Sequence, residues 1–206
     1  MIAIVDAGLG NIAAIATMLR RLGHPARIAK DPAELDGASH AILPGVGAFD
    51  RGKTLLDQGG FIPALTALRD RGQPILGICL GMQLLTRRSD EGQLPGLGWI
   101  PGETLRFDLD AQARQRLRIP HMGWNHIQVL QSEPLFDGHQ EDRRFYFIHS
   151  YRVSCEDPHD IVATAWHGHD FVAVFRRATV LGTQFHPEKS HRHGLKLLDR
   201  FARWRP

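Results

Sequence analysis

The strongest chemical signal is a cysteine between two glycines, in the stretch GICLGMQ at residues 77–83. A short apolar run ends just before Cys79, and a helical pattern begins after it. Gly77 and Gly81 have the spacing of a nucleophile elbow, in which a strand turns sharply into a helix and exposes a reactive atom. The first amides of such a helix can stabilise a thiolate or an oxyanion. The stretch predicts a nucleophile, although a buried structural cysteine beside a tight turn has the same pattern.

A thiol nucleophile needs a base, and the base needs a group that orients it. Both residue types occur near the end of the chain, in GTQFHPEKS. His186 and Glu188 are two residues apart, so in an extended segment their side chains point to the same side. Pro187 between them has a fixed φ and stiffens the pair. The pattern predicts that His186 takes the Cys79 proton while Glu188 holds the imidazole; a surface turn is the alternative.

A glycine-containing loop in AILPGVGAF is the third candidate piece of the site. It follows a predicted strand at residues 41–43, and ligands bind open α/β sheets beyond the carboxyl ends of their strands. The glycines allow backbone amides to approach a reacting carbonyl. We expect an amide of the loop Gly45, Val46 and Gly47, with that of Leu80, to form an oxyanion hole. An ordinary strand-to-helix turn is the alternative.

The elements that must position these residues alternate between strand and helix in the first half. Strands are predicted in IAIVDAG, ARIA, HAIL and PILGI, and helices in NIAAIATMLRRLG, around Ile62 to Arg71 and after Cys79. Such repeated units indicate a parallel sheet covered on both faces. The second half is strand-rich, with HIQVL, RFYFIHSYRV, IVATAWHG, FVAVFRR and TVLGTQFH, before a docked terminal helix. We expect one α/β domain over residues 1–206, with an open, mostly parallel sheet.

Bulk composition excludes several classes of function. The 206 residues are 43% hydrophobic and 23% charged, which is ordinary for a soluble globular protein. No apolar run approaches the roughly 20 residues of a membrane helix, and MIAIVDAG has no basic leader, so we expect neither membrane association nor a signal peptide. The two cysteines, Cys79 and Cys155, form no disulfide framework and indicate the cytoplasm.

The basic residues and the histidines indicate neither a nucleic-acid partner nor a metal. The net charge is only +3, whereas nucleic-acid binding needs a basic stripe interleaved with aromatic residues. The densest basic group, the alternating arginines of residues 114–118, is typical of one solvated strand face. Twelve histidines include HGH and HRH, but no further ligand follows at a zinc-like spacing.

The motifs PGVGAF, GICLGMQLL and GTQFHPEKS, in this order and in a chain of this length, resemble the class I (triad) glutamine amidotransferases. The resemblance implies a flavodoxin-like fold and hydrolysis of L-glutamine through a glutamyl thioester, with no cofactor. Cys79, His186 and Glu188 would form the triad. It also implies a pocket for the amino-acid end of glutamine, lined by Gln83, Glu91, Ser150 and Tyr151.

Two further stretches, PHMGWN at 120–125 and YFIHSYRV at 146–153, resemble the glutaminase subunits of imidazole glycerol phosphate synthases, as does valine at position 46. This resemblance implies a heterodimer with a (β/α)8-barrel cyclase, which uses the ammonia in histidine biosynthesis. Trp and Met are enriched at interfaces, although they also fill cores. We expect a docking surface formed by Arg118, Pro120, His121, Met122, Trp124, Asn125 and Asn11.

Three alternatives remain open at the level of the sequence. IVDAGLGNIA fits G-x-G-x-x-A from Gly8 to Ala13, with Asp31 after the next strand, as in dinucleotide-binding folds, but no substrate domain for hydride transfer accompanies it. The chain could instead serve a different synthase or act alone, which its dependence on the cyclase would decide. A non-enzymatic regulatory subunit is the third alternative, and the intact triad argues against it.

Overall fold

The computed structural model describes residues 1–136 and 143–206. Its first half contains β1 (Ile2–Val5), α1 (Ile12–Arg21), β2 (Ala26–Ala29), β3 (His40–Gly45), α2 (Phe49–Gln58), α3 (Phe61–Asp70), β4 (Ile75–Cys79) and α4 (Leu80–Leu84). The sequence did not indicate α2, because a glycine inside a helix lowers its intrinsic stability. In the fold that glycine is useful: a Cβ on Gly52 would lie 3.0 Å from a methyl carbon of Leu80, so α2 packs closely on α4.

The second half contains β5 (Gly102–Arg106), β6 (His121–Val129), β7 (Arg144–His149), β8 (Tyr151–Cys155), β9 (Ile161–Trp166), β10 (Asp170–Arg177), β11 (Val180–Thr183) and α5 (His191–Arg203). The single strand expected in RFYFIHSYRV is wrong, since the chain breaks at Ser150. β7 pairs with β6, whereas β8 pairs with β5 and β10. The break therefore lets one stretch of sequence serve two different strand neighbours.

The segment before β6 also differs from the expectation. The alternating arginines of residues 114–118 do not lie on a strand, because the chain forms a 3-10 turn at Ala113–Gln115. The Arg114 side chain donates to the Leu109 carbonyl at 2.6 Å, and that of Arg118 donates to the Arg114 carbonyl at 2.7 Å. These local hydrogen bonds close a compact turn, so the alternation defines no common face.

In the described part of the chain, eleven strands form a sheet whose main path runs β2-β1-β3-β4-β11-β10-β9-β6-β7. Strands β2, β1, β3, β4 and β11 are parallel, and the pairs from β10 outward are antiparallel. The expected mixed α/β sheet is thus confirmed. Because β3, β4 and β11 are neighbours, their carboxyl ends meet at one edge, where ligands of such sheets bind.

Helices cover both faces of the parallel part of the sheet, as expected. One face packs against α1 and α5 through residues such as Ile15, Leu197 and Phe201. The other face packs against α2 and α3 through residues such as Phe49 and Leu65. Burial on both faces explains why these strands are apolar at nearly every position.

The C-terminal helix α5 docks on the body of the protein. Of the residues expected on its inner face, Leu198 and Ala202 are buried and Leu195 is half-buried. None of the helices in residues 1–136 and 143–206 is long and apolar enough to cross a bilayer.

The glycine-rich turn after β1 has a local structural role. Gly8 and Gly10 both have positive φ, and a Cβ on Gly10 would lie 3.1 Å from Pro44 Cβ. Asp31 accepts a 2.8 Å hydrogen bond from the Ala33 amide and caps a 3-10 turn. The turn packs against β3 and the acidic residue is a cap, so both parts of the dinucleotide-like motif are explained by folding.

Candidate active site

Cys79 lies at the junction of β4 and α4, with φ 54° and ψ −108°. A positive φ is unfavourable for a residue with a side chain, and such strain is concentrated at functional sites. A Cβ on Gly77 would lie 2.7 Å from the Gly81 carbonyl oxygen, and one on Gly81 would overlap the Leu43 carbonyl. The chain can therefore turn here only because both neighbours lack side chains, which is the geometry of an elbow.

His186 and Glu188 meet beyond the end of β11. His186 Nδ1 donates to Glu188 Oε1 at 2.7 Å, and the two side chains are only 1% and 2% exposed. The segment is not extended as expected: a 3-10 turn begins at Pro187, and the Ser190 hydroxyl donates to the His186 carbonyl at 2.6 Å. The turn therefore brings the carboxylate to the imidazole, and Nε2 is left as the atom able to accept a proton.

The electrostatic setting favours a charged imidazole. Burial lowers the pKa of His186, but the neighbouring Cys79 sulfur and the Glu188 carboxylate outweigh burial and raise the pKa to about 10. Nε2 is buried and has no hydrogen-bond partner among the described residues. An imidazolium at this position is thus stabilised at neutral pH, which suits a base that has just taken a proton.

A cavity of about 650 Å³ opens where these residues meet. Its walls include all four residues expected to bind the amino-acid end of glutamine: Gln83, Glu91, Ser150 and Tyr151. Cys79 and His186 also line it, together with Leu80. Glu188 does not line this cavity, because its carboxylate lies behind the imidazole that it contacts.

The loop after β3 lies against the start of α4. A Cβ on Gly45 would lie 2.8 Å from both the Gly81 nitrogen and Leu80 Cβ, so only glycine allows this approach. Val46 is 48% exposed, and within the loop a positive φ, 101°, occurs at Gly47. Val46 and Gly47 line the cavity. The loop and the first turn of α4 therefore bring their backbones together beside the cysteine.

Glu91 lies on a loop that is tied to α2. Its Oε2 accepts a 2.9 Å hydrogen bond from the Phe49 amide, and it supplies the cap that Ala48 cannot. Asp50, in the first turn of α2, accepts a 2.9 Å bond from the Gln93 amide. These contacts hold the acidic side chain at the rim of the cavity.

Sequence reasoning missed Gln184, which is fully buried and donates from Nε2 to Cys79 Sγ at 3.7 Å. Its Oε1 accepts from Gln83 Nε2 at 3.3 Å. The available signal was its position two residues before His186, which places both side chains on one side of an extended segment. Gln184 therefore connects the nucleophile to the wall of the pocket.

Three further residues that line the cavity were also missed: Ile148, His149 and Lys189. The Ile148 carbonyl lies 3.8 Å from Cys79 Sγ. Both Ile148 and His149 belong to the YFIHSYRV stretch, whose pairing with β6 places it over the cysteine. No spacing rule within the sequence indicates this contact, because it depends on strand order.

The residues expected at a docking surface occupy different depths. Those that are exposed are Asn11, Arg118, Pro120, Met122 and Trp124. Met122 and Trp124, on one face of β6, are 59% and 43% exposed. The His121 side chain is only 4% exposed, and Asn125 is half-buried and donates to the Trp166 carbonyl at 2.8 Å. The surface is thus offered by alternate positions of the strand.

The fold and the site define a class of protein. The family model described as glutamine amidotransferase class-I matches residues 3–203. The chain belongs to the class I glutamine amidotransferase family.

Relatives narrow the comparison. The chain is 44% identical over 204 residues to imidazole glycerol phosphate synthase subunit HisH 2 of Methanococcus maripaludis, covering 98% of this chain and 99% of the relative. It is 45% identical over 203 residues to subunit HisH of Bdellovibrio bacteriovorus, with the same coverage, 98% and 99%. The structure of PurLQS from Thermotoga maritima superposes with a TM-score of 0.72 at 19% identity, covering 97% of this chain and 96% of that one. This last similarity supports the fold alone.

Proposed function

We propose that the chain is the glutaminase subunit of an imidazole glycerol phosphate synthase and hydrolyses L-glutamine to L-glutamate and ammonia. The observation that carries the proposal is the meeting of the Cys79 elbow and the His186–Glu188 pair at one cavity. The similarity over nearly the full length to HisH subunits supports this choice among amidotransferases.

In the proposed mechanism, the Cys79 sulfur attacks the side-chain amide carbon of glutamine. His186 takes the thiol proton and gives it to the departing ammonia, so the C–N bond breaks after the C–S bond forms. Glu188 orients the imidazole and stabilises its charged form. His186 then activates a water, which cleaves the thioester to glutamate and restores the thiol. The steps use only these side chains and water.

The oxyanion of the tetrahedral species needs donors beside the cysteine. The Leu80 amide is at the first position of α4, where helical amides have no partner within the helix. An amide of the loop Gly45, Val46 and Gly47 would be the second donor. Gln83, Glu91, Ser150 and Tyr151 would hold the amino-acid end of the substrate.

A docking surface adjoins the cavity. Met122 and Trp124 are paired across the strands with Ile148 and Tyr146, so the four side chains share one face, which we call the outer face of the β6–β7 ribbon. Ile148 also lines the cavity, so this face is continuous with its mouth. We propose that a (β/α)8-barrel cyclase docks there, with further contacts from Asn11, Arg118, Pro120 and Asn125.

The cyclase would use the ammonia to make imidazole glycerol phosphate and an aminoimidazole carboxamide ribonucleotide in histidine biosynthesis. A free thiol nucleophile is best preserved in a reducing compartment, so we place the reaction in the cytoplasm. A synthase with a different acceptor remains the second candidate, and the two differ in which cyclase activates the chain.

The proposal is tested by mixing the chain with a purified histidine-pathway cyclase and its nucleotide substrate, and measuring glutamate and imidazole glycerol phosphate. We expect both products in a ratio near one. Glutamate release that ignores the cyclase would indicate a different synthase or an independent hydrolase. No glutamate under any condition would contradict the glutaminase assignment.

A further inference from the structure

A line of buried polar groups joins strand β6 to the wall of the cavity. Asn125 Nδ2 lies 3.2 Å from His121 Nε2, and His121 Nδ1 lies 3.0 Å from His149 Nε2. His149 Nδ1 lies 2.8 Å from the Tyr151 carbonyl oxygen. The two imidazoles are 4% and 6% exposed, and the proposed chemistry uses neither. Buried hydrogen-bonded side chains of this kind are costly to leave unpaired.

Each hydrogen bond in this line has one allowed direction. A carbonyl can only accept, so His149 Nδ1 carries the hydrogen and His149 Nε2 must accept from His121 Nδ1. His121 Nε2 then accepts from the Asn125 amide group, whose oxygen independently accepts from the His126 amide at 2.8 Å. Burial lowers the pKa of His121 to about 4 and that of His149 to about 3, so both rings are neutral at ordinary pH.

At the cavity end the line fixes the orientation of a side-chain amide. The Tyr151 carbonyl also accepts from Gln83 Nε2 at 3.3 Å, and the second Nε2 hydrogen goes to Gln184 Oε1 at 3.3 Å. With both hydrogens of Nε2 engaged, Gln83 can offer only its oxygen to a ligand. Gln83 lines the cavity, so an acceptor is available there for a donor group such as an ammonium.

We propose that His121 and His149 are positioning residues, which hold the Tyr151 carbonyl and thereby the Gln83 amide so that the pocket recognises the ammonium group of an amino acid. This inference rests on the proposed function, because it assigns a role within the glutamine pocket. Neither histidine touches the reacting atoms. Their contribution is to ground-state binding, which appears in KM rather than in kcat.

The hydrogen-bond directions can be tested without any activity. In the chain labelled with ¹⁵N, long-range nitrogen–proton correlation spectra identify the protonated ring nitrogen of each histidine. We expect Nδ1–H, neutral tautomers at His121 and His149, and loss of the His149 tautomer preference in His121→Phe. An Nε2–H tautomer at His149 would overturn the proposal, because it cannot donate to the Tyr151 carbonyl.

The positioning role is tested in the complex with the cyclase. His121→Phe should raise KM for glutamine about tenfold, the effect of about one hydrogen bond, with kcat within about twofold. His121→Asn keeps a donor near the Nδ1 position and should recover most of this loss. His167→Phe is the matched control, since the His167 ring packs 4.2 Å from that of His121 but bonds to the Arg118 carbonyl outside the line. Equal KM changes in His121→Phe and His167→Phe would overturn the positioning role, whereas an inert wild-type complex would overturn the proposed function.

Discussion

Cys79 has a backbone conformation that ordinarily favours glycine, and the fold must impose it. A residue held in such a region costs about 1–3 kcal/mol, which the surrounding structure has to supply. Here the close approach of α4 to β4, permitted by Gly77 and Gly81, provides that constraint. The strained residue is also the one that exposes its sulfur to the cavity. The cost and the chemistry therefore belong to the same position.

Removal of the thiol separates the two reactions of the proposed complex. Cys79→Ala should abolish glutamine-dependent synthesis, because only the thiol can form the covalent intermediate. The same complex should still make product from added ammonium salt, since the cyclase can take ammonia from solution. The measurement is imidazole glycerol phosphate formation with each nitrogen source, and glutamine-driven turnover by the variant would refute the nucleophile.

The Glu188 carboxylate is expected to control the pH range of the reaction. The pKa of His186 is about 10 partly because this carboxylate favours the imidazolium, so Glu188→Gln should lower that pKa. A histidine is protonated below its pKa, and the alkaline limb of the kcat/KM profile should therefore move to lower pH. The rate should also fall by about 10²- to 10⁴-fold.

The profile is measured from about pH 6 to about pH 10.5 as glutamate release by the complex. Asp57→Asn removes an exposed carboxylate on α2 and is the control that should leave the profile unchanged. An alkaline limb that does not move in Glu188→Gln would show that the carboxylate does not act through the imidazole.

At the level of residues, local motifs were sufficient for the nucleophile and for the histidine–glutamate pair. The elbow could be predicted because Gly-x-Cys-x-Gly is contiguous and its geometry depends on missing side chains nearby. Gln184 could not be assigned, although it is close to His186 in sequence, because its contact with Cys79 requires β11 to lie beside β4. The sequence contains the residue but not the neighbour.

At the level of elements, β6 has two distinct sides. Met122 and Trp124 are exposed on one side, while His121 is buried on the other. Alternation along the strand explains how one six-residue motif can contribute to a docking surface and to the core. The prediction that grouped all of PHMGWN at an interface did not separate these sides, because the strand had been expected to begin only at His126.

Truncation of the exposed indole tests the docking surface. Trp124→Ala should weaken binding to the cyclase or uncouple ammonia transfer, because large aromatic side chains contribute strongly to interfaces. The isolated chain should remain folded, since the indole is 43% exposed. Leu130→Ala, an apolar side chain 52% exposed just beyond β6, is the control.

Titration calorimetry would give the affinity for the cyclase, and the ratio of glutamate to cyclised product would give the coupling. Trp124→Ala that binds normally and couples fully would assign the indole to local packing with Tyr146 and His191 instead.

The loop after β3 is the element most able to regulate the site. Val46 is β-branched and resists positive φ, which in this loop occurs at Gly47. A peptide that must rotate to point its amide at the oxyanion would therefore rest in an inactive orientation. Placing a non-glycine residue in the left-handed region costs about 1–2 kcal/mol.

Val46→Gly should therefore raise the basal rate of glutamine hydrolysis by up to about tenfold, by removing that barrier. Ala178→Gly is the matched control, because it relieves a positive φ of 50° in the turn between β10 and β11. Steady-state glutamate release by the isolated chains is the measurement. A basal rate that stays at the wild-type value, or rises equally in the control, would argue against loop gating.

For the whole molecule, the class of fold was predictable and the strand neighbours were not. Apolar strands alternating with helices indicate a doubly covered parallel sheet from composition alone. The meeting of the loop, the cysteine and the histidine depends on β3, β4 and β11 being adjacent, although β11 is more than 100 residues later in the chain. Hydrophobic periodicity gives no information on such pairing, so the motif order and the family resemblance had to supply it.

The last prediction concerns the assembled enzyme. An elbow thiol with its base in place would waste glutamine whenever the cyclase is idle, so the complete site should form only when product can be used. Loss of one oxyanion donor costs about 10²–10³ in rate, and docking with bound nucleotide would restore that donor by shifting the loop between two backbone arrangements. We expect very slow hydrolysis by the isolated chain and at least ~100-fold activation in the nucleotide-bound complex. Glutamate release is compared for the lone chain, the empty complex and the loaded complex; equal rates in all three would refute the gating while leaving the triad assignment intact.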